Sequence, residues 1–179
     1  MSKGQIWIDT KPGFYARDGA LFTTGDLMGA SSAFTPTSGT LYLTFGRAYP
    51  GTISNLSYAF VAAATLPANW WFALYDDDLA LVAQTADQTT TAIGVNSMKT
   101  VALTTPYTVK RPMNLYAGFM LNAVGVATVI CVGGALLQGV ATIGGVLRAG
   151  SSTTGLTTTP PNPAASLTFV AANLWCIGA

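Results

Sequence analysis

Histidine and glutamate are missing from all 179 residues. Without histidine there is no Ser-His-Asp or Cys-His arrangement and no imidazole base. Every acidic residue is an aspartate: Asp9, Asp18, Asp26, Asp76, Asp77, Asp78 and Asp87. Long helices draw on Glu and Lys for their exposed faces, so the composition argues against them. Charge of either sign is scarce as well, at 8% of residues against roughly 25% in an average domain. The formal net charge of +1 gives no long-range field to gather nucleic acid or anionic lipid. A free monomer keeps its copies apart with a charged, mixed surface. So little charge implies that other protein covers much of this one.

Cysteine is limited to Cys131 and Cys176, too few for the usual four-ligand zinc site. Both lie in apolar runs, Val129-Ile130-Cys131-Val132 and Leu174-Trp175-Cys176-Ile177, as buried thiols do. Met1-Ser2-Lys3-Gly4-Gln5 leads into no apolar signal core. Synthesis in a reducing cytoplasm is therefore expected, with free thiols in place of a bridge.

Between Pro112 and Leu147 there is no charged residue at all. About 20 apolar residues suffice for a membrane helix, but Asn114, Asn122, Gly125, Gly133, Gly134, Gln138, Gly139, Gly144 and Gly145 break the run at strand-length intervals. Val126-Ala127-Thr128-Val129-Ile130-Cys131-Val132 is rich in β-branched residues and is a better strand than helix. No membrane span is expected.

What is present is Thr, Gly, Val, Ala and aromatic residues, the mixture of strands joined by tight turns. Residues 1–38 carry Trp7, Phe14, Tyr15 and Phe22 without periodicity and predict an extended N-terminal arm. Residues 39–179 predict one domain. Leu41, Leu43 and Phe45 alternate with Tyr42 and Thr44 in a half-buried strand. Pro50-Gly51 turns into a strand over 52–60, and Leu66-Pro67-Ala68-Asn69 reads as a loop before the bulky strand Trp70–Tyr75. Asp76-Asp77-Asp78 separates that strand from Leu79–Thr85 as the turn of a β-hairpin. Further strands are expected at 97–103, 107–109, 115–121, 127–132 and 166–177, about eight to ten in all. Prolines at 160, 161 and 163 mark 151–165 as a surface loop or extended crossing. The fold class is all-β, a β-sandwich of jelly-roll-like form with an N-terminal arm. Leu41, Leu43, Phe45, Trp71, Leu74, Leu81, Val101, Leu103, Leu115, Phe119 and Ile130 are the expected core.

Chemistry-bearing motifs are few. Asp76, Asp77 and Asp78 read as a solvated turn; the rival reading, a calcium site, needs six to eight oxygens. Gly133-Gly134 and Gly144-Gly145 lack the residues of a phosphate loop or a dinucleotide fingerprint. Trp70, Trp71, Phe72 and Tyr75 fit core or a subunit interface, with a sugar-stacking platform as the alternative. No residue is singled out as catalytic, cofactor-binding or metal-binding, and no cofactor is expected.

The stretches Gly39-Thr40-Leu41-Tyr42-Leu43-Thr44, Thr52-Ile53-Ser54-Asn55-Leu56 and Trp71-Phe72-Ala73-Leu74-Tyr75-Asp76 run in a recurring order. Leu81–Asp87, Lys99–Val109 and Leu115–Met120 follow. This order resembles a domain of minor tail and other virion-surface proteins of actinobacterial phages, over roughly residues 39 to 130. The resemblance implies a β-sandwich used as a virion surface module, with no catalytic signature. The N-terminal arm departs from the pattern and favours a head decoration role over a tail fibre. The expectation is a non-enzymatic bacteriophage structural protein, a capsid decoration or minor tail protein made in the host cytoplasm and displayed on the virion. Its partners would be capsid or tail subunits and its own copies, as a trimer, joined through the arm and apolar faces. The alternative is a tail module that recognises a host-surface glycan.

Overall fold

The computed structural model describes residues 21–24, 32–127, 129–131, 142–143, 146–147, 149–170, 174 and 176–179. All regular structure among them is β. The strands are β1 (Phe22–Thr23), β2 (Ser32–Phe34), β3 (Tyr42–Ala48), β4 (Gly51–Phe60), β5 (Thr65–Tyr75), β6 (Leu81–Gln84) and β7 (Ser97–Val109). They continue with β8 (Met113–Gly125), β9 (Val129–Cys131), β10 (Thr142–Ile143), β11 (Val146–Leu147), β12 (Ala149–Ser151), β13 (Thr168–Phe169) and β14 (Cys176–Gly178). β10 and β11 form a separate two-stranded ribbon, and every other strand belongs to one antiparallel sheet.

That sheet nearly closes on itself. Hydrogen-bonded neighbours run β6–β5–β8–β3–β1–β14–β4, and β7 lies along the far side of β4. The ends meet where Thr85 bridges Leu103 and the Thr104 hydroxyl donates to the Gln84 carbonyl at 2.9 Å. A bulge makes this contact possible: Ile53 pairs with Tyr107 and Asn55 with Ala102, so several β7 residues lie opposite Ser54 and swing away from β4. On the other edge of β4, the Ser54 and Asn55 amides donate to the carbonyl of Ala179 and Ala179 N donates to Asn55 O, which extends the pairing of β4 with β14 by one residue.

The interior is aromatic. Tyr58 and Phe60 of β4 face Phe72 of β5 and Phe119 of β8, with ring centroids 4.6 to 5.8 Å apart for Tyr58–Phe72, Tyr58–Phe119 and Phe60–Phe119. Phe22 lies over Gly46, where a Cβ would come within 2.6 Å of its ring and of the Thr23 carbonyl. Glycine is required there by close approach. Two interior threonines are satisfied by the C-terminal segment: Thr24 donates to Leu174 O at 2.7 Å and accepts from Cys176 N at 2.9 Å, and Thr44 accepts from Leu174 N.

A second apolar layer covers the outside of β3, β8 and β5. Leu41, Leu43, Trp71, Ala73, Tyr75, Tyr116 and Met120 point outward into it and are buried under Leu156, Ala164 and Leu167. The cover is the proline-rich segment between β12 and β13, which pair with one another, so the predicted surface crossing is a strap. Trp71 Nε1 donates to Thr157 O, the Tyr75 hydroxyl to Pro161 O, Leu81 N to Asn162 Oδ1 and Ala164 N to Leu79 O. Each such bond contributes about 1 kcal/mol, whereas ordering one backbone residue costs about 1–2 kcal/mol. Hydrogen bonds alone cannot hold the strap. Burial of its apolar residues must, helped by prolines that restrict the unfolded chain.

Several expectations change. The strand predicted as half-buried over 40–45 is covered on both faces, because the strap shields its outer side. Leu66–Asn69 is part of β5 rather than a loop; a bulge between Pro67 and Asn69 leaves Ala68 unpaired and absorbs the proline. Residues 97–109 form one strand, and the strand expected at 166–177 is divided into β13 and β14. Of the expected core, Leu41, Leu43, Trp71, Leu74, Leu103, Leu115 and Phe119 are buried. Phe45, Leu81 and Val101 are only partly so, packed at the margins of the two layers. Phe22–Thr23 and Ser32–Phe34, within the predicted arm, are strands of the sheet. Residues 1–20, both Gly-Gly pairs, and the side chains of Ile130 and Cys131 lie outside the described residues.

Two outcomes test this packing. Gly46→Ala should destabilise the fold by about 1–3 kcal/mol in urea unfolding, because the new methyl meets backbone as well as a ring; an unchanged midpoint would show that β1 is not seated there. The second concerns pH. Burial pushes the Cys176 thiol and the Tyr58 hydroxyl above their ordinary values of 9.0 and 10.0. The unfolded chain then releases these protons before the folded one. The contribution of these two groups should be constant up to about pH 8, and stability should fall as pH rises through 9 and 10, with Cys176→Ala removing the earlier part of the decline.

Candidate functional site

Strand register separates the barrel into two unlike ends. At one, β3 ends beside the start of β8, with Arg47 paired to Asn114 and Ala48 to Met113. The β5–β6 turn and the β7–β8 connection lie at this same end, bringing Asp76, Asp77, Asp78, Lys110 and Arg111 alongside Arg47. Among the described residues, only Lys99 and Asp87 carry charge elsewhere.

A depression of about 390 Å³ opens there, lined by Arg47, Asp77, Arg111, Pro112, Met113 and Asn114. Local sequence explains its shape. Pro112 ends β7 pairing and starts the return into β8, leaving Lys110 and Arg111 exposed at the corner. Arg47 is an outward residue in the last turn of alternation in β3, beyond the reach of the strap, and is exposed too. Asp77 and Asp78 are exposed at the turn.

The turn is built by Asp76. Its Oδ1 accepts from Asp78 N at 3.1 Å and Ala80 N at 2.9 Å, while its amide donates to Ala80 O. This side-chain turn is why an aspartate stands there. The hairpin predicted at Asp76–Asp78 is present, as β5 and β6 pair antiparallel on either side. Among the described residues, no group of three or more His, Cys, Asp or Glu side chains is placed to hold a metal. Burial, and secondarily Asp77, raises the Tyr116 ionisation; burial and Asp76 do the same to Tyr107. Asp87 has a structural task at the other end, accepting from Trp70 N, Asn69 Nδ2 and Thr89 Oγ1.

The aromatic run is fully committed. Trp70, Trp71, Phe72 and Tyr75 are buried, alternately in the interior and under the strap, so they offer no exposed stacking platform. Cys176 is a free, buried thiol. The end away from the charges instead exposes aliphatic side chains: Leu66 and Val124, on paired strands, are 72% and 82% exposed, with Val95 and Met98 nearby in the β7 approach. Arg47, Arg111 and Asn114 were not singled out from sequence. The available signal was charge at strand ends, but Arg47 and Arg111 lie far apart in the chain.

The depression thus presents both signs of charge, with the guanidiniums of Arg47 and Arg111 and the carboxylate of Asp77 on its walls. Among the described residues no helix is long and apolar enough to cross a membrane; the first part of the charge-free run from Pro112 is β8, apolar because it is buried on both faces. No protein-family model matches the chain, and no curated protein matches its sequence.

The turn yields a contrast. Asp76→Ala should cost about 1–2 kcal/mol, since two amides lose their acceptor, while Asp78→Ala should stay within about 0.5 kcal/mol of the parent. Equal effects in thermal unfolding would contradict the assigned role of Asp76.

Proposed function

We propose that the chain is a non-enzymatic structural protein of a bacteriophage virion, displayed on the particle surface as a capsid decoration or minor tail protein. The observation that carries this reading is the pair of unlike ends on an all-β body: exposed Leu66, Val95, Met98 and Val124 at one, nearly all the described charge at the other. Large apolar side chains grouped at one end suit contact with other protein. The order of segments from Gly39 onward, similar to virion-surface modules of actinobacterial phages, supports the setting. The sandwich of jelly-roll-like form belongs to this reading: the barrel is taken as flattened, with β4 and β7 facing β5 and β8 across the aromatic interior.

In this reading the protein is made in the host cytoplasm, assembles as a homo-oligomer, with a trimer as the proposed state, and docks on capsid or tail subunits. The N-terminal segment, residues 1–38, and the apolar end supply the contacts in this reading. Recognition of a host glycan would have to use loops other than the Trp70–Tyr75 run, whose rings are buried.

Immunogold electron microscopy of phage particles that carry the chain is the direct test. Label over the head is expected for a decoration protein and label confined to the tail for a minor tail protein. Intact particles without label would remove the virion-surface reading.

A further inference from the structure

The charged end is balanced as well as concentrated. Arg47, Lys110 and Arg111 stand beside Asp76, Asp77 and Asp78. Among the described residues the end carries equal numbers of each sign, so these groups together exert little long-range pull on a polyanion such as nucleic acid or an anionic membrane. What fits it is a surface that presents both signs, close together and in matched places.

The acidic and basic groups of one copy do not satisfy one another. Among the described residues no ion pair joins them, although Asp77 and both arginines line the same depression. All except Asp76 are exposed, and Asp76 has committed an oxygen to the Asp78 and Ala80 amides. The free carboxylates of the turn are therefore Asp77 and Asp78. They stand on a hairpin tip that closes tightly through Asp76, which holds them in place as a projecting group. Asp77 stands on one wall of the depression and the guanidiniums of Arg47 and Arg111 on its other walls, each guanidinium able to take a carboxylate in a two-pronged contact.

A depression with one acidic wall and two basic side chains facing it can be complementary to its own copy. Under a two-fold rotation the tip of each copy faces the hollow of the other, and every contact is made twice. We propose that this end is a two-fold docking surface for a second copy of the chain, in which the Arg47–Arg111 depression of each copy receives the Asp77–Asp78 turn of the other. Lys110 faces the same turn from the rim. The contact uses the end opposite to Leu66 and Val124, so it leaves the apolar end free, and it stands or falls apart from the virion reading.

Exposed ion pairs are individually weak, so the association is modest and sensitive to salt, and two-fold symmetry makes each contact twice.

Charge exchange tests the proposal. One variant carries Arg47→Asp and Arg111→Asp, and the other Asp77→Arg and Asp78→Arg. Each would present like charges to its own copy, while the two together would restore opposite charges across the axis. Sedimentation equilibrium of the parent should show a dimerisation step that weakens at least about tenfold as added salt shortens the Debye length from about 10 Å to about 3 Å. Each variant alone should lose that step, and an equimolar mixture should regain it. Circular dichroism of each variant confirms that it is folded, and the mixture is its own control, since unfolded partners would not recover a salt-sensitive step. Variants that associate like the parent, a mixture that does not recover, or a parent without a salt-sensitive step would each overturn the two-fold contact. None of these outcomes bears on where antibody labels a particle.

Discussion

Pairing of β8 on both of its edges is the constraint on which the rest of the structure depends. It matches β3 from Tyr42 to Ala48 and β5 from Thr65 to Tyr75, and it buries residues on both faces along the way. Inward Leu115, Ala117, Phe119 and Leu121 build the barrel interior; outward Tyr116 and Met120 build the layer beneath the strap. Gly118 has room for no more than it carries, since a Cβ there would meet Leu43 and Tyr75 at 3.1 Å. A strand buried on both sides reads as a continuous apolar run. That is why its sequence mimics a membrane segment.

Much of this was legible in the residues. Alternation located β3, β4 and β7, and the Asp76–Asp78 hairpin followed from polar turn formers between bulky runs. The absence of Glu and the abundance of Thr and Val excluded long helices for a physical reason that the structure obeys. Other features were hidden because they depend on partners distant in sequence. Leu66-Pro67 looks like a loop until β8 lies beside it. Phe22–Thr23 is too short to show any period, yet it fills the wall between β3 and β14. Closure of the sheet rests on a bulge at Ser54 that no local pattern announces. The charged depression was equally invisible, because the register of β3 on β8 is what brings Arg47 next to the corner that holds Arg111.

Low charge has two explanations in this chain, and the structure separates them. On the outer side of β4 and β7, hydroxyls do the work usually done by Lys and Glu: Thr52 pairs with Thr108 at 3.1 Å and Ser57 with Thr100 at 2.8 Å. Thr104 and Thr105 are exposed on the same strand. A ladder of hydroxyls hydrates a sheet face without charge and suits the β propensity of threonine. This face accounts for part of the missing charge without any covering partner. The inference from composition to a covered surface therefore applies to the ends of the barrel and not to its whole circumference.

The same geometry dictates where contacts with other proteins can form. The outer side of β3, β8 and β5 is already taken by the strap, and most strand edges are consumed by closure, which removes the usual route of edge-to-edge association. At the seam between β6 and β7, where closure is thinnest, Pro106 offers no amide to an incoming strand. The strap and the closure thus withdraw the outer side of β3, β8 and β5 and most strand edges, leaving the hydroxyl face of β4 and β7 and the two ends. One end presents aliphatic side chains that water solvates poorly, and the other presents charges of both signs held apart from each other. A contact at the first gains by removing apolar area from water and is tolerant of orientation. A contact at the second gains little energy but fixes orientation, since like charges brought together by a wrong rotation repel. In the proposed assembly, the two ends would supply separate means to hold a neighbour and to orient one.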